Sequence, residues 1–366
     1  MSDPGVAAGA NGRPFRLPSL GPAVAAAGAT LDRPLPRRGV FRVFVARRAV
    51  QGFFALVCVL LGVQFGRFVS AISRPGVPVP ERPPGVEAFL PISGLMGLLD
   101  WIYQGAINMI HPAATILLLI FLAMAVLLRK AFCSWVCPIG LLSDQLARIG
   151  RFVFGRTFRP WKPVDIALRS LKYLLLAFFV WAIFRMSPQQ LSAWIHGGYN
   201  RVTDIKMYLF FAHLGWTAAT VLAALALLSI VIRGFWCRYL CPYGALLGLF
   251  SWISPTRIHR HEDACTQCGY CDRVCPSRLP VSRRATIRSV ECTGCLDCVA
   301  SCPHPGALDV RLAGRPLRPA AFAALLMALF LAGWSGARVF GVWQNGISAA
   351  EYRMHMQRIE TYAHPR

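Results

Sequence analysis

Eight cysteines in the C-terminal third of the chain have the types and spacing to do chemistry. From Cys265 to Pro303 the sequence reads CTQCGYCDRVCP and then, after a spacer, CTGCLDCVASCP. Each half is C-x2-C-x2-C-x3-C followed by proline, a spacing that suits a pair of [4Fe–4S] cubanes. Three closely spaced cysteines can hold three corners of one cube, and the fourth, just before proline, reaches the neighbouring cube. The expected sets are therefore Cys265, Cys268, Cys271 and Cys302 for one cluster, and Cys292, Cys295, Cys298 and Cys275 for the other. Pro276 and Pro303 should turn the chain away after the last ligand. Gly269 and Gly294 should let the backbone approach the inorganic sulfur. A four-cysteine zinc site would instead pair two C-x2-C units across a longer spacer, which eight cysteines in two matching runs do not fit.

Four further cysteines come as two CxxxCP motifs, RKAFCSWVCPIGLL with Cys133 and Cys137, and RGFWCRYLCPYGALL with Cys237 and Cys241. Cys133 and Cys237 are 104 residues apart, as are Asp100 and Asp204, while His111 and His213 are 102 apart. This marks an internal repeat whose two units share an orientation in a membrane. The C-x3-C spacing places two thiols on one face of a helix. The four cysteines are a candidate third redox or metal site. They could hold a further iron–sulfur cluster, bind copper or another thiophilic metal, or act as redox-active dithiols. A purely structural role would leave the matched Cys-Pro pairs unexplained. His111 and His213 fall at the external ends of apolar segments. Interfacial anchoring suits them better than haem ligation, since neither helix offers a second histidine at matching depth, and a quinol site stays open. Asp100 and Asp204 could relay protons there or simply cap helices. Cys58, alone in an apolar run, reads as a small buried hydrophobe.

What must position these residues is a membrane protein. The chain has 366 residues, is 55% hydrophobic and has a mean hydropathy of +0.49, too apolar for a soluble domain. Only 15% of residues are charged, yet the formal net charge is +23. The basic residues are not gathered on one soluble face, so no nucleic-acid partner is expected. Five spans are expected: Val50–Ile72, about Met109–Leu128, Leu171–Phe184, Phe211–Ile232 and about Pro319–Val342. The third is short unless Arg169, Lys172 and Arg185 snorkel to the surfaces. Two external loops, 73–108 and 186–210, carry half-helices, the first at Ile92–Ile107. Segments 1–49, 129–172 and 233–318 hold 29 of the 39 Lys and Arg, against 9 in the external segments. The positive-inside rule then puts the N-terminus, both CxxxCP motifs and the twin-cluster insert in the cytoplasm of a bacterial cell and the C-terminus in the periplasm. The expected divisions are a disordered basic N-terminus over 1–49, with no apolar signal-peptide core, a four-helix membrane domain over 50–256, an α+β insert over 257–312, and a fifth helix with a short external tail over 313–366. The fold class is thus an all-α integral membrane protein carrying a small two-cluster domain.

The stretches PGVEAFLPISGLMGLLD, RKAFCSWVCPIG, WCRYLCPYGALLG, CPSRLPV and VECTGCLDCVASCP resemble the membrane polyferredoxins, which combine two CxxxCP motifs with a twin [4Fe–4S] insert. That group includes NapH of periplasmic nitrate reductase systems, the membrane part of the NosR regulator, and FixG-type proteins of cytochrome oxidase assembly. The chain is most like the YccM-type proteins, which are named for electron transport. It shows no large flavin-binding domain as in NosR and no immunoglobulin-like domain as in FixG. The resemblance implies an electron carrier or redox subunit, rather than a stand-alone enzyme, that passes electrons between a quinol or other membrane donor and a periplasmic or membrane reductase. It also implies that the eight insert cysteines bind two [4Fe–4S] clusters. The alternative is an assembly or regulatory protein whose CxxxCP thiols bind or reduce a metal such as copper. Arg273, Arg278, Arg283, Arg284 and Arg288 form a basic patch beside the insert that could dock an acidic partner or meet lipid headgroups.

Overall fold

The structure, a computed structural model, describes residues 38–362 apart from 156 and 159. Of the stretch 1–49 expected to be disordered, residues 1–37 lie outside the described residues, and 38–49 are helical instead. Helices dominate, and prolines set where many of them start. Pro91, Pro112, Pro138, Pro188, Pro242 and Pro319 each open a helix at the first turn, where the missing N–H costs nothing.

Helix α1 runs Arg38–Ile72, twelve residues longer at its start than the expected span. The extra turns are held by Arg47, which is buried and paired with Asp144 at 2.9 Å and Asp297 at 2.5 Å. Next come α2 (Pro91–Gln104), the expected half-helix, and α3 (Pro112–Leu128), whose wall is largely buried inside the protein. A short α4 (Ala131–Trp135) leads into α5 (Pro138–Phe154). The inner face of α5 is Ser143, Ala147 and Gly150, while Phe152 is 91% exposed. A Cβ on Gly150 would lie 1.9 Å from the Ile230 carbonyl oxygen, so only glycine lets the two helices pack this closely. The exposed apolar rim suits a helix lying at a membrane surface.

Helix α6 spans Lys162–Phe184, nine residues more than expected at its start. At 23 residues it is long enough to cross a bilayer without snorkelling. Lys172 accordingly does not snorkel; it is fully buried and points at Glu291. Three short helices follow, α7 (Pro188–His196), α8 (Gly198–Arg201) and α9 (Thr203–Ala212), and then α10 (Trp216–Val231). The expected fourth span is therefore broken. Helices α9 and α10 meet at 80°, because His213 leaves the helical region and Gly215 is extended at the start of α10. A π-helical turn, Trp236–Leu240, precedes α11 (Pro242–Phe250). Among the described residues three helices are long and apolar enough to cross a membrane, Val43–Ile72, Lys162–Phe184 and the C-terminal α14 (Pro319–Val339), or four if the bent pair is one span. Helix α3 is apolar but has only 17 residues.

The insert is a four-stranded antiparallel sheet, β1 (Thr256–Arg260), β2 (Thr286–Ile287), β3 (Leu308–Leu312) and β4 (Arg315–Leu317), in the order β2-β1-β3-β4. It also carries α12 (Tyr270–Val274) and α13 (Asp297–Ala300), each of which holds the third cysteine of its run. The sheet continues to Leu317, past the expected boundary at 312. Ala313 and Gly314 both take positive φ, which closes the β3–β4 hairpin in two residues. One apolar core runs from Leu128 and Trp135 of the membrane part through Leu296 and Val310 of the insert to Phe322 of α14. A second core, with Phe65, Met96 and Ile205, is closed by Tyr352 on α15 (Ala349–Gln357).

Candidate site: the cysteine loops and the membrane cysteines

The two cysteine loops of the insert share one backbone pattern. Gln267 and Gly294 precede the second cysteine of each run, and Gly269 and Leu296 follow it; all four have positive φ, between 53° and 69°. Non-glycine residues hold that conformation at a cost, of order 1–3 kcal/mol, and do so mostly at functional sites. Alternating left-handed residues turn successive N–H groups inward, the kind of concave nest that suits iron–sulfur clusters. The glycines singled out by sequence are thus at different steps of the two loops, and Leu296 does what Gly269 does.

Cys275 is a neighbour of the second run's thiols. Burial first, and then the neighbouring thiols of Cys295, Cys292 and Cys275, push Cys298 far above its ordinary range. Cys275 therefore sits with the second run rather than the first. In the other set Cys268 lies beside Cys271, with Cys268 exposed at the surface. Two sulfurs about 2.3 Å from one zinc are at most about 4.6 Å apart. Among the described residues no three cysteine sulfurs come within 4.8 Å of one another.

The four membrane cysteines also converge. The Cys237 thiol is raised by burial and then by Cys137, Cys241 and Cys133, which places all four in one neighbourhood. Burial pushes Cys133 up to about 12 and Cys137 up to about 11. The pairs do not share a helical face as expected. The chain opens between them into a wide turn, Cys137 N–H to Phe132 carbonyl at 2.9 Å and Cys241 N–H to Trp236 carbonyl at 3.0 Å. Cys137 and Cys241 become the N-caps of α5 and α11, and Gly244 N–H donates to Cys241 Sγ at 3.3 Å. A helix N-terminus favours an anionic sulfur. A Cβ on Gly140 would lie 2.1 Å from the Cys133 carbonyl oxygen, so the first motif can close only around a glycine.

Each CxxxCP motif grips the chain around Cys275 and Cys292. Ser134 Oγ donates to the Thr293 carbonyl at 2.7 Å and Trp135 Nε1 to the Gly294 carbonyl at 3.0 Å. At the matching repeat position Arg238 Nη1 donates to the Ser277 carbonyl at 3.0 Å. Arg238 is itself fixed by a bidentate pair with Asp165, at 2.9 and 2.8 Å. Glu291, the residue before Cys292, receives Lys172 Nζ at 2.7 and 2.8 Å and Tyr173 OH at 2.9 Å, with Lys130 at 3.4 Å. Burial alone would raise the Glu291 carboxyl, but Lys130 and Lys172 outweigh it and hold it down at about 2. Sequence reasoning did not find this clamp. Its one signal was a lysine inside an apolar span.

A cavity of about 1370 Å³ with a mostly apolar lining reaches from Gln64, Arg67 and Arg82 to all four membrane cysteines, Glu291 and Cys295. The sequence pairs themselves diverge in the fold. His111 is buried, with Nε2 at 2.7 Å from the Asn200 carbonyl and Nδ1 at 3.4 Å from Glu87, whereas His213 is exposed. Asp204 pairs with Arg82 at 2.7 Å, while Asp100 accepts from Asn108 at 3.3 Å. Of the five arginines in the expected basic patch, Arg273, Arg283, Arg284 and Arg288 are exposed and Arg278 donates to the Phe158 carbonyl.

A family model described as a 4Fe-4S binding domain matches the chain twice, at 110–157 and 214–261, and a 4Fe-4S dicluster domain model matches 257–308. The chain is 41% identical over 279 residues to the "Putative electron transport protein YccM" of Escherichia coli, covering 74% of this chain and 78% of that protein. It is 33% identical over 167 residues to the methylamine utilization ferredoxin-type protein MauN of Paracoccus denitrificans, covering 45% and 54%. It is 30% identical over 196 residues to the ferredoxin-type protein NapH of Haemophilus influenzae, covering 50% and 63%. No solved structure matches.

Proposed function

Because this chain belongs to the family of membrane-bound, ferredoxin-type electron-transport proteins that includes YccM, we propose that it passes electrons from the membrane to a soluble-side redox partner along a row of three iron–sulfur centres. Cys275, Cys292, Cys295 and Cys298 hold the cluster nearest the membrane, and Cys265, Cys268, Cys271 and Cys302 hold the outer one. Cys133, Cys137, Cys237 and Cys241 hold a third. One observation carries the third centre: the 4Fe-4S family model falls on each CxxxCP segment, 104 residues apart, and the four thiols of those segments lie in one neighbourhood, with Cys137 and Cys241 at matched helix N-caps. The same offset supports the internal repeat. A bound [4Fe–4S] cluster supplies one-electron chemistry at a potential set by its surroundings.

The chain's own residues supply position and charge. Ser134, Trp135 and Arg238 fix the membrane-proximal loop, so the membrane cysteines and Cys295 share one cavity wall. Lys130 and Lys172 against the single carboxylate of Glu291 leave a net positive charge there, which favours anionic, reduced clusters. Cys268 and the exposed arginines face outward, where an acidic partner protein would dock. The cavity has the size and apolar lining for a quinol ring and the start of its tail, and this favours a quinol as the electron source. Counting α3 and the bent pair each as a crossing would give five, and together with the Lys and Arg bias this supports a cytoplasmic insert and a periplasmic C-terminus.

Iron and acid-labile sulfide per chain, measured anaerobically, test this. About twelve irons are expected in the wild type and about eight in Cys133→Ser/Cys237→Ser. Eight in both would remove the third centre. Cluster bleaching by a reduced short-chain quinone should be lost in the double variant. Equal bleaching in both would place the electron entry elsewhere.

A further inference from the structure

We propose that the open face of the insert's sheet is a binding site for a divalent transition metal, held by His259, His261 and Asp309. The strands bring the three together. Side chains two apart on an extended chain point to the same side, so His259 and His261 share a face. Asp309 is the register partner of His259 across β1 and β3. One ligand atom from each residue lies within 4.8 Å of the other two, and the two imidazole rings are 5.0 Å apart. This is the only such group of histidine, cysteine and carboxylate side chains among the described residues.

Two atoms mark what is missing. His259 Nδ1 and Asp309 Oδ1 are both buried and have no hydrogen-bond partner among the described residues. A buried nitrogen and a buried carboxylate oxygen, each left unpaired, lose their hydration and gain nothing in return. A cation between them would satisfy both. The other carboxylate oxygen is already engaged, with His261 Nε2 at 3.1 Å and Arg311 Nε at 3.0 Å. The Arg311 bond is the outer support a ligating carboxylate normally has, while the His261 contact is one that the ion would replace. Arg311 Nη2 also lies 3.2 Å from His261 Nε2, so the guanidinium competes with the ion for that nitrogen and keeps the affinity moderate.

Two imidazoles and one carboxylate select zinc, nickel or ferrous iron over magnesium or calcium, which prefer all-oxygen shells. The site stands apart from the clusters, since no cysteine takes part. Its position gives it a mechanical role. His261 comes four residues before Cys265, and Asp309 seven after Cys302. An ion here would clip together the strands that enter and leave the cysteine loops.

The test uses the full-length, cluster-loaded protein in detergent, stripped of loose metal by a chelator and equilibrated with Zn²⁺. About one Zn²⁺ per chain is expected, with a first shell of nitrogen and oxygen at about 2.0–2.1 Å by zinc-edge X-ray absorption. His259→Ala/His261→Ala should weaken binding by at least about tenfold, with iron content unchanged as the check on folding. Asp309→Asn, nearly the same shape, should show a comparable loss if the double variant does not fold. Zinc uptake unaffected by these changes, a sulfur shell at about 2.3 Å, or no uptake by the wild type would each overturn the assignment.

Discussion

At the residue scale the decisive feature is which cysteine joins which cluster. Cys275 belongs by sequence to the first run but lies with Cys292, Cys295 and Cys298. Cys275→Ser should therefore remove the signal of the membrane-proximal cluster and about four irons, leaving the centre of Cys265, Cys268 and Cys271 visible by EPR. Loss of the outer signal instead would invert the assignment. A second prediction concerns the buried outer group of Glu87, Arg82 and His111. Burial pulls His111 down, but the Glu87 hydrogen bond and charge outweigh it, so its value in the fold lies above the ordinary 6.5. The stability it contributes is then complete below about 6.5 and is lost as pH rises through the raised value. Glu87 has the opposite sign. Arg82 and His111 overcome its burial and hold it below the ordinary 4.5, so its contribution is lost as pH falls through that depressed value. The Tm gap between wild type and His111→Gln should be widest near pH 6 and narrow on going alkaline. A gap independent of pH would mean that His111 is neutral in the fold.

At the element scale the working parts are places where regular helix stops. The wide turns at Phe132–Cys137 and Trp236–Cys241 break what would otherwise be continuous helices, and each break frees a cysteine to cap the next helix. Wide turns of this kind often mark functional sites. Gly140 is the element's steric limit. Gly140→Ala must push against a carbonyl oxygen 2.1 Å away, and overpacking of this kind costs about 1–3 kcal/mol. Lower Tm and lower iron retention are expected for that variant. Gly52→Ala, whose Cβ meets nothing within 4 Å, is the control and should leave both unchanged. Similar losses in the two would show that the turn is not tightly closed.

At the scale of the whole molecule, the insert and the membrane helices form one continuous core, fastened by a buried charge clamp. Lys172 is fully buried against Glu291, which lies next to Cys292. Removing one partner of a buried pair strands the other, typically at about 3–5 kcal/mol, while replacing both is far milder. Lys172→Met should thus loosen the insert, seen as faster amide exchange over 289–298 and loss of the proximal cluster on storage. Lys130→Met/Lys172→Met/Glu291→Gln, which leaves neither buried lysine unpaired, should recover much of both. A triple variant as damaged as the single would mean that the clamp is not what couples the two parts.

Sequence alone determined the cofactor class, because cluster ligation depends on local cysteine spacing and that spacing is written along the chain. It also determined the membrane character, through composition and the asymmetry of Lys and Arg. Helix starts were legible wherever proline opened a first turn. The tertiary structure decided what depends on residues far apart. The break at His213–Gly215, the long start of α6 and the early start of α1 follow from packing and ion pairing that apolar periodicity does not record. Lys172 looked like a snorkelling residue because its partner Glu291 lies 119 positions away. The pairing of His259 with Asp309 was equally hidden, since only strand register brings them together. Local spacing fixes which chemistry a chain can do, and long-range contacts fix where that chemistry sits.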